Sequence, residues 1–506
     1  MKIDFTISDT IAGYVTGYTS FENKFQLKTS DGREFEVYLT ENTYARFSFN
    51  LNEEYMDVTS KIPRLLALPR QYLFAYGTYY PDNGSVRFEA QFLIFPGDSP
   101  GNYRHEEPDW WINQISSIAG AYLKWQFNYP HENIDYNDYR TILHLGGSKK
   151  GDYLQETDTI SRLVYGFASA YLLTGEDSFL EGAEKGTEYL REHMRFYDQD
   201  EALVYWYHGI KIQGEKEHKL LTSEFGDDYD SLPIYEQIYA LAGPTQTYRI
   251  TGDRQILSDV EKTIDLFEKY YKDQIYGGYF SHIDPILLDA RSDTLMHNRA
   301  KKNWNSNGDH APAYLINLYL ATGEKKYAEM LEYMFDTIAK YFPDYEESAF
   351  VQERFFEDWT HDKGYIWQKN RAVVGHNLKI AWNLMRFFST QPKQEYLDFA
   401  RKITEIMPEN GSDRQRGGWY DTLERETKPG GKHHRFVWHD RKAWWQQEQA
   451  ILAYLITFGL LKDGEYLRHS REAASFYNAF FLDHDDGGVY FNTFAKIGRA
   501  SCRERV

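Results

Sequence analysis

Counting back twelve residues from the threonine of three Thr-Gly turns lands on Arg162, Tyr239 and His310. The turns are Thr174-Gly175, Thr251-Gly252 and Thr322-Gly323, and each closes a Tyr-x-x-Thr-Gly segment. A guanidinium, a phenol and an imidazole at equal phase in repeated units are expected to gather about one axis. Later units add Gly375-His376 at one helix start and Trp444-Trp445 at another. All fall in the first half of helices expected to form an inner ring. Helix N-termini carry partial positive charge, which favours neutral imidazole and stabilises nearby oxyanions. Neutral histidines, an arginine and aromatic walls suit removal of a proton beside a sugar carbonyl. Taken singly, each has a plainer explanation: a hydrogen-bonded structural histidine, an Arg162 paired with a carboxylate, a tryptophan pair packed in the core. Coincidence of phase sets the group above its members.

The elements that must position them repeat with a period of roughly 70 residues. Apolar spacing predicts helices at 109–127, 157–174, 178–195, 234–250, 254–273, 308–321, 325–342, 372–389, 393–406, 441–460 and 464–481. Strand-like Gly-Gly pieces close most units, as in Tyr276-Gly277-Gly278-Tyr279-Phe280, Gly417-Gly418-Trp419-Tyr420 and Gly487-Gly488-Val489-Tyr490-Phe491. The expected fold is mainly α, an (α/α)6 toroid of helical hairpins. Eleven helices leave one apolar flank unpaired, so the last helix is expected to be missing. Residues 1–98 instead alternate as strands, with Phe25, Leu27, Phe35, Val37 and Leu39 on one face and turns at Ser30-Asp31-Gly32 and Asp82-Asn83-Gly84. They read as a small β-barrel or sandwich, followed by a linker at 99–108, the toroid at 109–495 and a compositionally foreign tail at 496–506 that is expected to be non-native.

Composition narrows the chemistry further. Aromatic residues make up 17% of the 506 residues, a supply of amphipathic faces suited to sugar clefts as well as to cores. A net charge of −19 argues against nucleic acid, whose phosphates need a basic surface. No apolar run is long enough to span a bilayer, and the N-terminus lacks a signal-peptide pattern, so a cytoplasmic location is expected. Cys502, in the suspect tail, is the single cysteine, which leaves no thiolate metal site and no disulfide.

Several of these segments resemble the N-acylglucosamine 2-epimerase superfamily, which includes cellobiose 2-epimerases and mannose-type aldose–ketose isomerases. They are Ser161-Arg162-Leu163-Val164-Tyr165-Gly166-Phe167, Tyr235-Glu236-Gln237-Ile238-Tyr239, His310 with Asn317-Leu318-Tyr319, Gly375-His376-Asn377-Leu378-Lys379 with Trp382, and Lys442-Ala443-Trp444-Trp445-Gln446-Gln447. The resemblance implies opening of a sugar ring and proton transfer at C2 through an ene-diolate, with two histidines as acid and base and no metal or cofactor. It implies His376, His310 and Arg162 as catalytic. Trp444, Trp445, Trp382, Tyr239, Tyr235, Asn305 and Lys379 would hold the sugar. Lys379 stands where relatives often carry a glutamate, and Ser306, between Asn305 and Asn307, where an asparagine is often found. A second acid/base histidine, which relatives carry in the last hairpin, has no match, and His484 reads as a turn residue. The expected partner is a mono- or disaccharide, with no nucleic acid, no membrane and at most a second copy in a homodimer. Two rivals stand beside this reading. One is a glycoside hydrolase using paired carboxylates among Glu224, Asp227, Asp228, Glu353 and Glu357, and the other a non-catalytic sugar-binding protein.

Overall fold

The computed structural model describes residues 6–494 apart from 83–84, 145, 151–152, 215, 225, 365–370, 429 and 432. The expected tail at 496–506 lies outside the described residues. The chain divides into two compact units, one of Met1–Ile118, Glu347–Ala349 and Arg371–Val506, the other of Ala119–Glu346 and Phe350–Asn370.

Alternating apolar residues build a five-stranded closed barrel in the first unit. Its strands are β1 (Ile7–Thr19), β2 (Lys24–Lys28), β3 (Glu34–Phe47), β4 (Tyr72–Asp82) and β5 (Ser85–Phe95), with a short helix α1 (Ile62–Leu66) between β3 and β4. They close in the order β1-β2-β3-β5-β4, with β3 and β5 parallel and the other pairs antiparallel. Inward residues such as Ile11, Phe25, Leu27, Val37, Leu73 and Leu93 form its core, capped by Leu65 and Leu66 of α1. Closure removes the free strand edges that would otherwise template aggregation.

The longer helices that follow are α2 (Trp110–Phe127), α3 (Thr157–Thr174), α4 (Asp177–Tyr189), α5 (Ile234–Thr251) and α6 (Arg254–Leu266). Then come α7 (Trp304–Asn307), α8 (Ile316–Thr322), α9 (Lys325–Tyr341), α10 (Val374–Phe388), α11 (Gln394–Gly411), α12 (Trp444–Leu461) and α13 (Gly464–Phe480). The Thr-Gly repeat has a simple cause. Gly175, Gly252 and Gly323 take left-handed φ of 73°, 67° and 68°, and each donates its N–H to the carbonyl of the repeat's tyrosine, stopping the helix. Each helix of the inner set is entered from a short strand paired antiparallel: Leu232–Pro233 with His282–Ile283 before α5, and Lys301–Asn303 with Arg354–Phe356 before α7. Arg371–Val373 pairs with Thr422–Glu424 before α10, and Arg441–Ala443 with Asn492–Phe494 before α12.

The expected helix 308–321 starts at His310 and runs to Thr322, but its turn over Ala311–Leu315 is π-wound before α8. The Gly277-Gly278 and Gly417-Gly418 pieces are turns, each tied by a buried ion pair, whereas in the third piece Gly488–Val489 is a short strand paired with Leu482–Asp483. Asp273 accepts a hydrogen bond from the Lys302 ammonium at 2.8 Å, and Asp413 accepts one from Lys442 at 3.0 Å. Lys302 is wholly buried with Asp273, and Lys442 wholly with Asp413 nearly so. Burial alone would push each aspartate up, but the facing ammonium outweighs it and holds both carboxyls below their usual range.

Within the first unit the barrel is seated on α13. Phe74 meets Phe480 edge-on at 5.1 Å, Tyr14 donates to Glu472 at 2.9 Å, and the Ala12 N–H donates to the Gln415 carbonyl at 2.7 Å. Arg416 reaches Asp9 at 2.5 Å. The turn allows this approach through Gly418, whose φ is +77° and where a Cβ would lie 2.5 Å from the Phe476 ring.

Candidate functional site

In the second unit, α3 and α5 run side by side and bring Arg162 onto Tyr235 and Tyr239. Tyr235 and Tyr239 lie one turn apart on α5, with ring centroids 4.7 Å from each other. The Arg162 guanidinium donates to the Tyr235 hydroxyl at 2.6 Å and lies 4.2 Å from the centre of the Tyr239 ring. Asp158, one turn earlier on α3, stands 3.3 Å away, and 41% of the arginine side chain stays exposed. The guanidinium is thus fixed in direction by three neighbours while keeping an open face. Burial pushes both phenols up, so they are neutral donors at physiological pH.

His310 does not join this cluster. It is wholly buried, with Phe267, Tyr279 and Tyr314 around it at 5.3, 5.0 and 6.2 Å, and neither ring nitrogen has a hydrogen-bond partner among the described residues. Burial drives its pKa down to about 3, which keeps the ring neutral. The π-turn explains the displacement. It holds one more residue than an α-turn, so the position in phase with Arg162 and Tyr239 is thirteen residues before Thr322 rather than twelve. That residue is Asp309, 2% exposed, whose charge acts on both Tyr235 and Tyr239. Ser306 completes the capping box of α7 with Asn303 and donates to the Tyr279 carbonyl at 2.9 Å, while Asn305 beside it is half-buried.

A second pair lies on the neighbouring face of α5. His208, between two short strands of the 195–231 excursion, sits 2.7 Å from Glu236 and 3.9 Å from Glu156. Burial lowers the His208 pKa, but the neighbouring carboxylates outweigh it and raise it, while burial raises that of Glu236.

In the first unit, His376 is the third residue of α10, and its ring centroid lies 5.6 Å from that of Trp445. Gly375 makes the approach of α10 to α12 feasible, since a Cβ there would fall 2.4 Å from both the Trp445 ring and Gln446. Trp382 is nearly buried and donates to Gln449 at 2.7 Å. Lys379, one turn after His376, is half-buried on the same side of α10. Trp444 parts company with its neighbour and packs against the cluster of Tyr72, Phe74, Phe476 and Tyr477. His484 lies in a turn and stacks on Phe49 at 3.8 Å.

Glu448 lies one turn along α12 from Trp445 and was not singled out by the sequence reading. Burial raises its carboxyl to about 8, opposed only by a hydrogen bond from Tyr477, so it is protonated at neutral pH. Its signal was the spacing of three and four from the tryptophan pair. His208 had none, because its excursion has no counterpart in the repeat.

The carboxylates of the hydrolase alternative are mostly committed elsewhere. Glu224 pairs with Lys211, Asp228 with His282 at 2.7 Å, Asp227 with Arg354 at 3.9 Å and Glu357 with Arg291 at 2.8 Å. Among the described residues no helix is long and apolar enough to cross a membrane.

The family model for N-acylglucosamine 2-epimerase (GlcNAc 2-epimerase) matches residues 288–503. A cellobiose 2-epimerase from Ruminococcus albus is 21% identical over 344 residues, covering 66% of this chain and 77% of that protein. A D-mannose isomerase from Marinomonas mediterranea is 23% identical over 337 residues, covering 65% and 77%. Among solved structures, cellobiose 2-epimerase from Bacillus thermoamylovorans superposes with a TM-score of 0.62 at 15% identity, over 78% of this chain and 94% of that one. A D-mannose isomerase gives 0.61 at 17% identity, over 78% and 93%. These likenesses agree with the (α/α)6 architecture expected from the repeat, and residues 288–503 are similar to the N-acylglucosamine 2-epimerase family.

Proposed function

We propose that this chain is a carbohydrate epimerase or isomerase that moves a proton at C2 of an open-chain sugar. The observation that carries the reading is His376, held against Trp445 at the start of α10, in a chain whose relatives are sugar epimerases and isomerases. In this reading the imidazole takes the C2 proton and the C2–H electrons move into the carbonyl, giving an ene-diolate. Return of a proton to the other face of C2 gives the epimer, and return to C1 gives the ketose. Trp445 and Trp382 are the apolar walls for the sugar, with Lys379 a cation beside His376. Glu448, protonated at neutral pH, is suited to donate a proton to a developing oxyanion.

Arg162, in the second unit, is suited to stabilise negative charge that grows on oxygen. Its orientation is already set by Tyr235 and Tyr239, so little reorganisation accompanies charge development. Arg162→Ala is expected to lower kcat/KM by roughly 10²–10³-fold. Arg162→Lys should recover little of it, because a point charge cannot keep both the Tyr235 hydrogen bond and the stack on Tyr239. Steady-state kinetics of the two variants check this, and wild-type values for either would remove Arg162 from the mechanism. His310, buried and unpartnered, is assigned to shaping the α7–α8 segment rather than to proton transfer, and Asp309 takes the position facing the tyrosines.

The test of the reaction class is incorporation of deuterium from heavy water, at C2 of the epimer formed from cellobiose or at C1 of the ketose formed from mannose, followed by NMR. Exchange with appearance of the epimer or ketose supports the reading. Release of free reducing ends without exchange would transfer the chain to the hydrolases, and binding without either would make it a sugar-binding protein.

A further inference from the structure

The N-terminal barrel has a strand order, β1-β2-β3-β5-β4, with β3 parallel to β5 and a helix between β3 and β4. That is the arrangement of the five-stranded oligonucleotide/oligosaccharide-binding barrel, which takes linear polymers across its β2–β3 face between the β1–β2 and β4–β5 connections. Fold alone does not fix a ligand, so the face itself must carry the argument.

The opposite side of the barrel is spoken for, because β1 and β4 are seated on α13 through Ala12, Tyr14 and Phe74. Among the described residues the β2–β3–β5 face is partly exposed. Cross-strand register puts Lys24 opposite Tyr38, Gln26 opposite Glu36, and Tyr38 opposite Glu89. Arg87, two residues before Glu89, lays its guanidinium 4.1 Å from the centre of the Tyr38 ring and pairs with Glu89 at 2.9 Å. Lys24 and Tyr38 both bond Glu36. The result is a flat row of planar amphipathic and charged groups, partly exposed and already held in place by one another.

At one end of the row the β1–β2 connection folds over β3, where the Leu39 N–H donates to the Asn23 carbonyl at 2.7 Å. Its tip presents Phe21, 85% exposed. An aromatic that exposed gains nothing for the fold and offers a stacking face. At the other end β4 stops at Asp82 and β5 begins at Ser85.

Charge decides between the two polymers this barrel class accepts. Residues 1–95 hold nine Lys or Arg against twelve Asp or Glu, and the row mixes both signs. A phosphate backbone would meet Glu36 and Glu89 head-on. A neutral polyol would find donors and acceptors of both signs, the Arg87–Tyr38 stack and the exposed ring of Phe21.

We infer that the outer face of the barrel, bounded by Phe21 and centred on Tyr38 and Arg87, binds a neutral oligosaccharide chain longer than the sugar turned over by the helical domain. This rests on the sugar chemistry proposed above only in taking that glycan to be a source of the enzyme's substrate. The site tethers the enzyme to glycan from which small substrates derive.

Affinity electrophoresis of the full chain through gels containing soluble glucan or mannan, with titration calorimetry against cellohexaose and mannohexaose, tests it. The expected result is retardation by at least one neutral glycan, weakened roughly tenfold by Phe21→Ala and by Tyr38→Ala, as for loss of one aromatic anchor. C2 deuterium exchange on cellobiose should be unchanged in both variants. Circular dichroism and melting temperature confirm folding, and Arg87→Gln, which keeps the face polar, is a milder third variant expected to weaken binding. Retardation by single-stranded DNA instead, or glycan binding untouched by all three variants, overturns the inference. Glycan binding lost in the variants of a chain that never exchanges C2 deuterium would uphold the barrel site while removing the epimerase reading.

Discussion

Replacing His376 by alanine should cut C2 deuterium incorporation by roughly 10²–10⁴-fold, the usual range for loss of a general base. The fold should survive, since the ring is only half-buried and α10 is entered from a strand pair that does not use it. Gly375 is the backbone licence for this position, because a side chain there would strike Trp445 and push the imidazole off its partner. Glu448 gives the experiment a second axis. A carboxyl with a pKa of about 8 stays protonated below that pH and loses its proton above it. Activity that needs the protonated form falls as pH rises through about 8, and Glu448→Gln, which cannot ionise, should lower the plateau yet flatten that limb. Near-wild-type exchange in His376→Ala would sink its assignment as the base. An unchanged alkaline limb in Glu448→Gln would do the same for the carboxyl.

The second large effect is on stability. Lys442→Met leaves the Asp413 carboxylate, 4% exposed, without the ammonium that compensates it. Breaking a buried pair from one side costs about 3–5 kcal/mol. Arg416 remains 3.4 Å from Asp413, so the lower end, about 3 kcal/mol, is expected. Denaturant unfolding followed by tryptophan fluorescence measures it. Lys302→Met should act alike through Asp273 in the other unit, so two separate transitions would each move with one variant. The pH sign follows from the depressed Asp413: its stabilising contribution is full above the ordinary carboxylate range and is lost as pH falls through its lowered pKa. Lys442→Met should therefore show a weaker loss of stability on acidification than wild type.

Helix boundaries are legible in this sequence because the apolar period is strong and every Thr-Gly stop has one physical cause. The predicted 157–174 is α3 to the residue. Where the repeat is regular its geometry was legible, and Arg162 and Tyr239 meet as their shared phase predicts. It failed at His310, because a π-turn adds a residue without leaving a compositional trace and hands the position to Asp309. It failed again at Trp444, where helical spacing cannot tell a pocket wall from a core contact and packing on Phe476 and Tyr477 decides. The Lys–Asp pairs were visible as Lys-x-Trp after Asp-x-x-x-Gly-Gly, yet their meaning needs the turn that brings both ends together.

The seating of the barrel on α13 sets an order of events during synthesis. Tyr14 and Glu472 are 458 residues apart, and Asp9 and Arg416 are 407 apart. At translation rates of about 5–20 residues per second, the barrel waits roughly 20–90 s for its support to be made. The Ala119–Glu346 segment, whose contacts are mostly internal, is complete long before that. Until then Phe74 and Tyr72 of the nascent barrel are uncovered, an interval in which a chaperone has more to protect than at any later time.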